Sequence, residues 1–172
     1  MLYFKPFFVK IKEIMKNENI KIIAENKKAY FDYEILKKYL AGISLLGPEV
    51  KSIKNYGVNL KGSFAIIKQG EAFLIGLEIP PYQPGNVYFH YNPKRTRKLL
   101  LHKREIEEIF GKLSQKGLTL VPLKVLVKNG IIKVEIGLVK PKKKFEKKEK
   151  IKEREIEKEI QREMARIKQS EL

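Results

Sequence analysis

The chain has 172 residues, 37 Lys or Arg against 20 Asp or Glu, a formal net charge of +17 and no cysteine. That length supports one sizeable core plus a tail, and so strong a positive charge points to a polyanionic partner. A disulfide framework and a thiolate metal site are excluded, two histidines make a poor zinc site, and no apolar run approaches the ~20 residues that cross a bilayer.

The first 20 residues, "MLYFKPFFVKIKEIMKNENI", are aromatic and basic but interrupted by Lys5, Pro6, Lys10 and Lys12. They lack the unbroken apolar stretch and cleavage site of a secretory signal. Three readings stay open: an extension packed on the body, an arm without fixed structure, or translated sequence upstream of a start at Met15. The last is preferred.

From residue 21 to residue 140 the pattern is one of short strands and two helices. "AYFDYEIL" sets Ala29, Phe31, Tyr33 and Ile35 against Asp32 and Glu34, the period of a half-buried strand. "AGISLLG" predicts a second short strand. "GPEVKSIKNYG" predicts a short helix with Gly47 as N-cap, Pro48 at the first helical position, Gly57 past the end, and Val50 and Ile53 buried. "SFAIIKQGEAFLIGLEI" is a hairpin turning near Gly70, with Phe73, Ile75, Leu77 and Ile79 on one face of its second arm.

The stretch "NPKRTRKLLLHKREI" crowds Lys94, Arg95, Arg97 and Lys98 against three leucines. A longer helix is expected from about Leu100, with Ile106, Ile109, Phe110 and Leu113 at helical spacing and Gly117 as the stop. Successive helical residues lie ~100° apart, so three leucines in a row cannot all face one core and at least one is left outward. "LVKNGIIKVEIGLVK" is the clearest hairpin: Asn129 and Gly130 suit a type I′ turn. Ile132, Val134, Ile136 and Leu138 then share one face, and Lys133 and Glu135 the other. Together these elements predict a mainly β fold with helices: a small OB-like β-barrel with one short and one longer helix.

Residues 141 to 172 form a basic tail. Residues 140–172 hold 13 Lys or Arg against 8 Glu, a net +5 of the total +17. "KPKKKFEKK" cannot bury enough apolar surface to fold alone. Farther on, Ile151, Ile156, Ile160, Met164 and Ile167 make a sparse stripe that becomes helical when something covers it. A solvated tail that only aids solubility is the plainer reading.

No phosphate loop, nucleophile elbow or metal-ligand cluster is present, which argues against a hydrolase; no cofactor is expected. Asp32, Glu34, Glu105, Glu107 and Glu108 read as solubilising. His102, next to the leucines, could donate to phosphate or stack on a base, although an ordinary surface histidine is the commoner case; His90 has no better claim. Lysines and arginines neutralise phosphates and release counterions, and basic side chains beside projecting apolar ones suit structured RNA better than duplex DNA.

Five blocks in order, "NKKAYFDYEIL", "AGISLLGPEVKSIK", "NPKRTRKLLLHKREI", "GLTLVPLKVLVKNGIIKVEIGLVK" and "KKKFEKKEKIKERE", closely resemble the small protein B (SmpB, SsrA-binding protein) family. The resemblance runs from about Asn26 to Glu155. It implies an OB-like barrel, not an enzyme, that binds the tRNA-like domain of transfer-messenger RNA in the cytoplasm as a monomer. With that RNA it enters stalled ribosomes for trans-translation: rescue, and tagging of the unfinished peptide for proteolysis. The resemblance places RNA contacts at Asn26, Lys27, Lys28, Leu100 and Lys133; the basic stretch adds Lys94, Arg95, Arg97, Lys98 and His102. It further implies that the tail, through Lys140, Lys142, Lys143, Lys144, Lys147 and Lys148, orders in the empty mRNA path near the decoding centre, against rRNA.

Some positions depart from the family pattern. Leu40 stands where a glutamate that helps bind RNA usually precedes Ala-Gly-Ile. Pro141 replaces a glycine and should stiffen the hinge. Glu146, Lys147 and Lys148 keep the charge signs of an Asp-Lys-Arg while losing the arginine's planar fork. The competing reading is another basic OB-type ribosome-associated or single-stranded nucleic-acid-binding protein, with stacking aromatics on the barrel face. A metal-dependent RNA-processing enzyme is the remote third.

Overall fold

The computed structural model describes residues 20–82, 91–115, 117–143, 151–152 and 155–162. The expectations for residues 1–19, for His90 and for Lys144, Glu146, Lys147, Lys148, Met164 and Ile167 lie outside them. In chain order the elements are β1 (Ile20–Glu25), α1 (Lys27–Asp32), β2 (Tyr33–Ile43), α2 (Gly47–Tyr56), β3 (Phe64–Lys68), β4 (Glu71–Ile75), β5 (Arg97–Leu100), α3 (Lys103–Leu113), β6 (Thr119–Lys128) and β7 (Ile131–Pro141).

Residues Ala29 to Asp32, expected to begin a strand, instead belong to α1. Asn26 decides this: its side-chain oxygen accepts from the Ala29 amide (3.1 Å), the bond of a helix N-cap. Ala29 then packs against Val121, Leu123 and Val139, a small core outside the barrel. Over four residues an aromatic alternation fits either period, so the cap and this contact settle it. The chain turns extended at Tyr33 and stays so to Ile43, which makes one 11-residue strand of the two short ones expected.

All ladders are antiparallel and the sheet closes on itself in the order β6-β3-β4-β5-β2-β7-β6, with β1 paired to the second half of β6. This is the OB-like barrel that the pattern of strands predicts. Its interior is apolar: Ala41, Leu74, Leu99, Val134, Ile136 and Leu138 are each at most 2% exposed. Ile53 from α2 and Ile109 from α3 join the same core. Asn129 (φ 50°) and Gly130 (φ 81°) make the β6–β7 turn with both central residues at positive φ, as that turn type demands.

Three local expectations are corrected. In β4 the inward residues are Ala72 and Leu74, not Phe73 and Ile75. Gly76, at φ 75°, breaks the alternation, so Leu77 and Ile79 are buried on the opposite parity. Helix α2 has Leu46 as its N-cap and buries Glu49, Ser52 and Ile53, with Val50 only partly buried. Helix α3 starts at Lys103 rather than Leu100, because residues 97–100 are taken by β5; Phe110, assigned to its buried stripe, is 65% exposed.

Candidate nucleic-acid interface

Strand alternation sends Lys133 outward, because its neighbours Ile132 and Val134 face the core. Gly42 of β2 is its cross-strand partner, and the other edge of Gly42 pairs with Leu100 of β5. Leu100, Gly42 and Lys133 therefore lie in one row across three strands, with the leucine and the lysine roughly 10 Å apart by strand spacing. Leu99 is buried at 2% exposure and Leu100 is 55% exposed, so the spare leucine is the middle one. The reason is the period of a strand and not, as expected, that of a helix. A Cβ at position 42 would stand 3.2 Å from the Leu100 Cβ, so the glycine makes room for the leucine's base.

One row along, β1, β6, β7 and β2 align Glu25, Lys124, Glu135 and Leu40. Leu40 is 39% exposed and lies two residues from Gly42, which extends the apolar part of this face. Tyr30 of α1 leans over the same rows: Lys38 and Lys124 lie 5.5 and 5.8 Å from its ring centre, and its hydroxyl reaches Glu135 at 3.5 Å. Glu135 also pairs with Lys38 (3.3 Å), and Glu25 with Lys124 (3.1 Å). Donating to the Glu25 carboxylate raises the Lys124 pKa above its ordinary value. Sequence reasoning missed Tyr30, Lys38 and Lys124, because nothing in their spacing announces that α1 folds back over β6 and β7.

Lys27 and Lys28 are exposed on α1. The Asn26 carboxamide is occupied by the protein itself, its nitrogen donating to the Pro122 carbonyl (3.1 Å) while its oxygen caps α1. These two bonds fix the start of α1, the helix that carries Lys27 and Lys28.

The basic stretch before the leucines is largely neutralised. Arg97, expected at the RNA surface, is fully buried. Its guanidinium donates to Glu49 Oε1 (2.8 Å) and to the carbonyls of Leu77, Pro93 and Arg95. Arg95 grips the same carboxylate through Nε (2.8 Å) and Nη2 (2.5 Å). Burial alone would raise the Glu49 pKa, but Arg95, Arg97 and the Leu46 amide overcome it and hold the group down to about 2. Lys94 lies 3.9 Å from Glu78 and Lys98 2.5 Å from Glu71. Four cations adjacent in sequence thus meet three carboxylates from α2, β4 and the Leu77–Ile79 segment. His102 is exposed as the N-cap of α3, its amide donating to Glu105 Oε2 (2.9 Å).

At the start of the tail, Lys140 and Lys143 are exposed but Lys142 is tied down. Its ammonium donates to the Tyr30 carbonyl (3.1 Å), at the C-terminal end of α1, and its amide to the Asp32 carbonyl (3.0 Å). Pro141, expected as a hinge in the tail, ends β7 opposite Tyr33. Residues 151–152 and 155–162 are helical and exposed, with Ile151, Ile156 and Ile160 at 44%, 57% and 54%.

A family model described as "SmpB protein" matches residues 23–166. The chain belongs to the SmpB family. An "SsrA-binding protein" of Carboxydothermus hydrogenoformans is 58% identical over 129 residues, covering 75% of this chain and 86% of the relative. Those of Geobacillus kaustophilus and Nostoc punctiforme are 55% and 51% identical, covering 75% and 78% of this chain and 83% and 86% of theirs. Among solved structures, a chain from "tmRNA-SmpB: a journey to the center of the bacterial ribosome" superposes with a TM-score of 0.61 at 49% identity, covering 72% of this chain and 87% of that one. The family match takes in α1, the whole barrel and the described helical residues of the tail.

Proposed function

We propose that this protein is the transfer-messenger-RNA-binding factor of trans-translation, which carries that RNA to stalled ribosomes. One observation carries the reading: in an SmpB-family chain, Leu100 and Lys133 stand on one outward face on either side of a glycine. A lysine beside an exposed aliphatic group suits an unpaired RNA loop, where phosphate and exposed base are reached together. The RNA-binding unit is residues 21–140, acting as a monomer in the cytoplasm and without catalysis. Among the described residues no helix is long and apolar enough to cross a membrane.

Direct RNA contact falls to Lys27, Lys28, Leu100 and Lys133, with Lys94, Lys98 and His102 at the margin. Asn26 acts through α1, and Arg95 and Arg97 through the loop they brace. The tail beyond Lys143 finds the empty mRNA path, where rRNA supplies the counter-charge and a covering surface for Ile151, Ile156 and Ile160. A gel-shift titration of transfer-messenger RNA against ordinary tRNA and a random single strand tests the assignment. Preference for the first at physiological salt is expected; equal affinity for all three would favour a general single-strand binder.

A further inference from the structure

A cleft of about 770 Å³ opens where β6 changes its partner, between α1 and the loop that leads into β3. The edge of β6 meets β3 only at Ala65↔Leu120 and meets β1 only from Lys124 onward, which leaves the gap. Lys27 and Lys28 line one wall, Lys61 and Phe64 the other, and Thr119 the floor. All three lysines are exposed and form no ion pair among the described residues. Phe64 is 42% exposed, the outward member of a strand whose next residue, Ala65, is buried. Of the two carboxylate residues on the lining, Glu25 is paired with Lys124, and Asp32 sets one negative charge against the three lysines, which leaves the cleft cationic.

A cleft lined by an exposed aromatic ring and three lysines outside any ion pair among the described residues is too cationic a setting for an apolar peptide. It matches the demands of a nucleotide, a flat base on one side and a phosphate on the other. We propose that the cleft takes one unpaired nucleotide of the bound RNA, its base stacked on Phe64 and its phosphate drawn by Lys27, Lys28 and Lys61. The proposal rests on the RNA-binding reading above and adds a subsite to it. Helix α1 borders both this cleft and the Leu100–Lys133 face, so one folded RNA can occupy the two together.

The chain contains no tryptophan, so Phe64→Trp in the full-length protein creates a single reporter at the cleft. Titration with a ten-nucleotide single-stranded RNA should quench its emission to saturation, while an abasic strand of the same length binds without quenching. Phe64→Ala should weaken binding of transfer-messenger RNA about tenfold, in the range of one lost base stack. Lys61→Ala should lower the slope of log affinity against log salt by about one. Equal quenching by the abasic strand, or no quenching while gel shifts show the RNA bound, overturns the subsite and leaves the RNA-binding reading standing. A wild-type chain that binds no RNA overturns both. Should Phe64→Ala not fold, the Phe64→Trp titration decides alone.

Discussion

Glu49 shows how little a residue's chemistry says until its neighbours are known. In sequence it is an acidic group in the first turn of a short helix, where it favours the helix dipole. In the fold the residue is 1% exposed and its carboxylate binds two arginines, with Arg97 Nε at 3.1 Å, the Leu46 amide at 2.8 Å and the Tyr91 hydroxyl at 3.4 Å also donating to it. Removing one partner strands a buried charge, so Glu49→Gln should cost about 3–5 kcal/mol, read as a lowered denaturation midpoint. Because the folded pKa lies near 2, below the ordinary 4.5, the carboxylate's contribution is complete above pH 4.5 and lost as pH falls toward 2. Thermal unfolding of the wild type should therefore shift to lower temperature between pH 5 and pH 3, and more steeply than that of the Gln variant. At the other kind of residue, Leu100→Asp should weaken RNA binding at least tenfold and Lys133→Ala roughly threefold to tenfold, with unchanged melting curves. Both side chains face outward, so a loss of fold in either variant would remove it from the interface.

At the scale of elements, α1 and β2 decide the interface together. Asn26 holds the first turn of α1 and ties it to β6, while Lys142 closes the last turn from the end of β7. Lys27 and Lys28 are aimed by this short helix, whose own six residues are too few to be stable in isolation. Asn26→Ala removes the cap and leaves the Pro122 carbonyl without its donor, which should cost about 1–2 kcal/mol. RNA affinity should fall in parallel because the two lysines lose their bearing. A gel shift showing unchanged affinity in a destabilised Asn26→Ala protein would separate the helix from the interface. Strand β2 matters differently, since its Gly42 is the spacer that lets Leu100 and Lys133 share a face.

For the whole molecule, the proposed division of work between body and tail is open to a truncation test. Strand β7 and Lys142 reach past residue 140, so the clean place to cut is after Lys143. A chain ending there should keep its melting temperature and RNA affinity and lose peptide tagging on stalled ribosomes in a reconstituted translation reaction; retained tagging would make the tail dispensable. With a net charge of +17, binding should also weaken steeply with salt, by orders of magnitude between 50 and 200 mM, if six or more phosphates are contacted.

How much of this was legible beforehand follows from the range of the interactions. The β6–β7 hairpin, Lys133 pointing outward, helix α2 and the barrel class are local: turn chemistry at Asn129–Gly130, a proline and two glycines around "PEVKSIKNY", and strict alternation state them directly. The family resemblance added, as expected RNA contacts, Leu100 and the two lysines of α1. Hidden were the α1 helix within an alternating run, the phase change at Gly76, and the fate of the cations at 94–98. The first and the last depend on partners far along the chain, Asn26 on Pro122, 96 residues away, and Arg97 on Glu49, 48 residues away, while the second turns on the positive φ of one glycine.

The amino-acid order by itself thus determined a cationic, cysteine-free β-barrel with a basic tail, because turns, alternation and net charge are set by neighbours and sums. Only the tertiary structure decided which cations are free to meet a phosphate. A buried carboxylate captures a guanidinium wherever closure of the barrel brings them together, and no local pattern records that meeting.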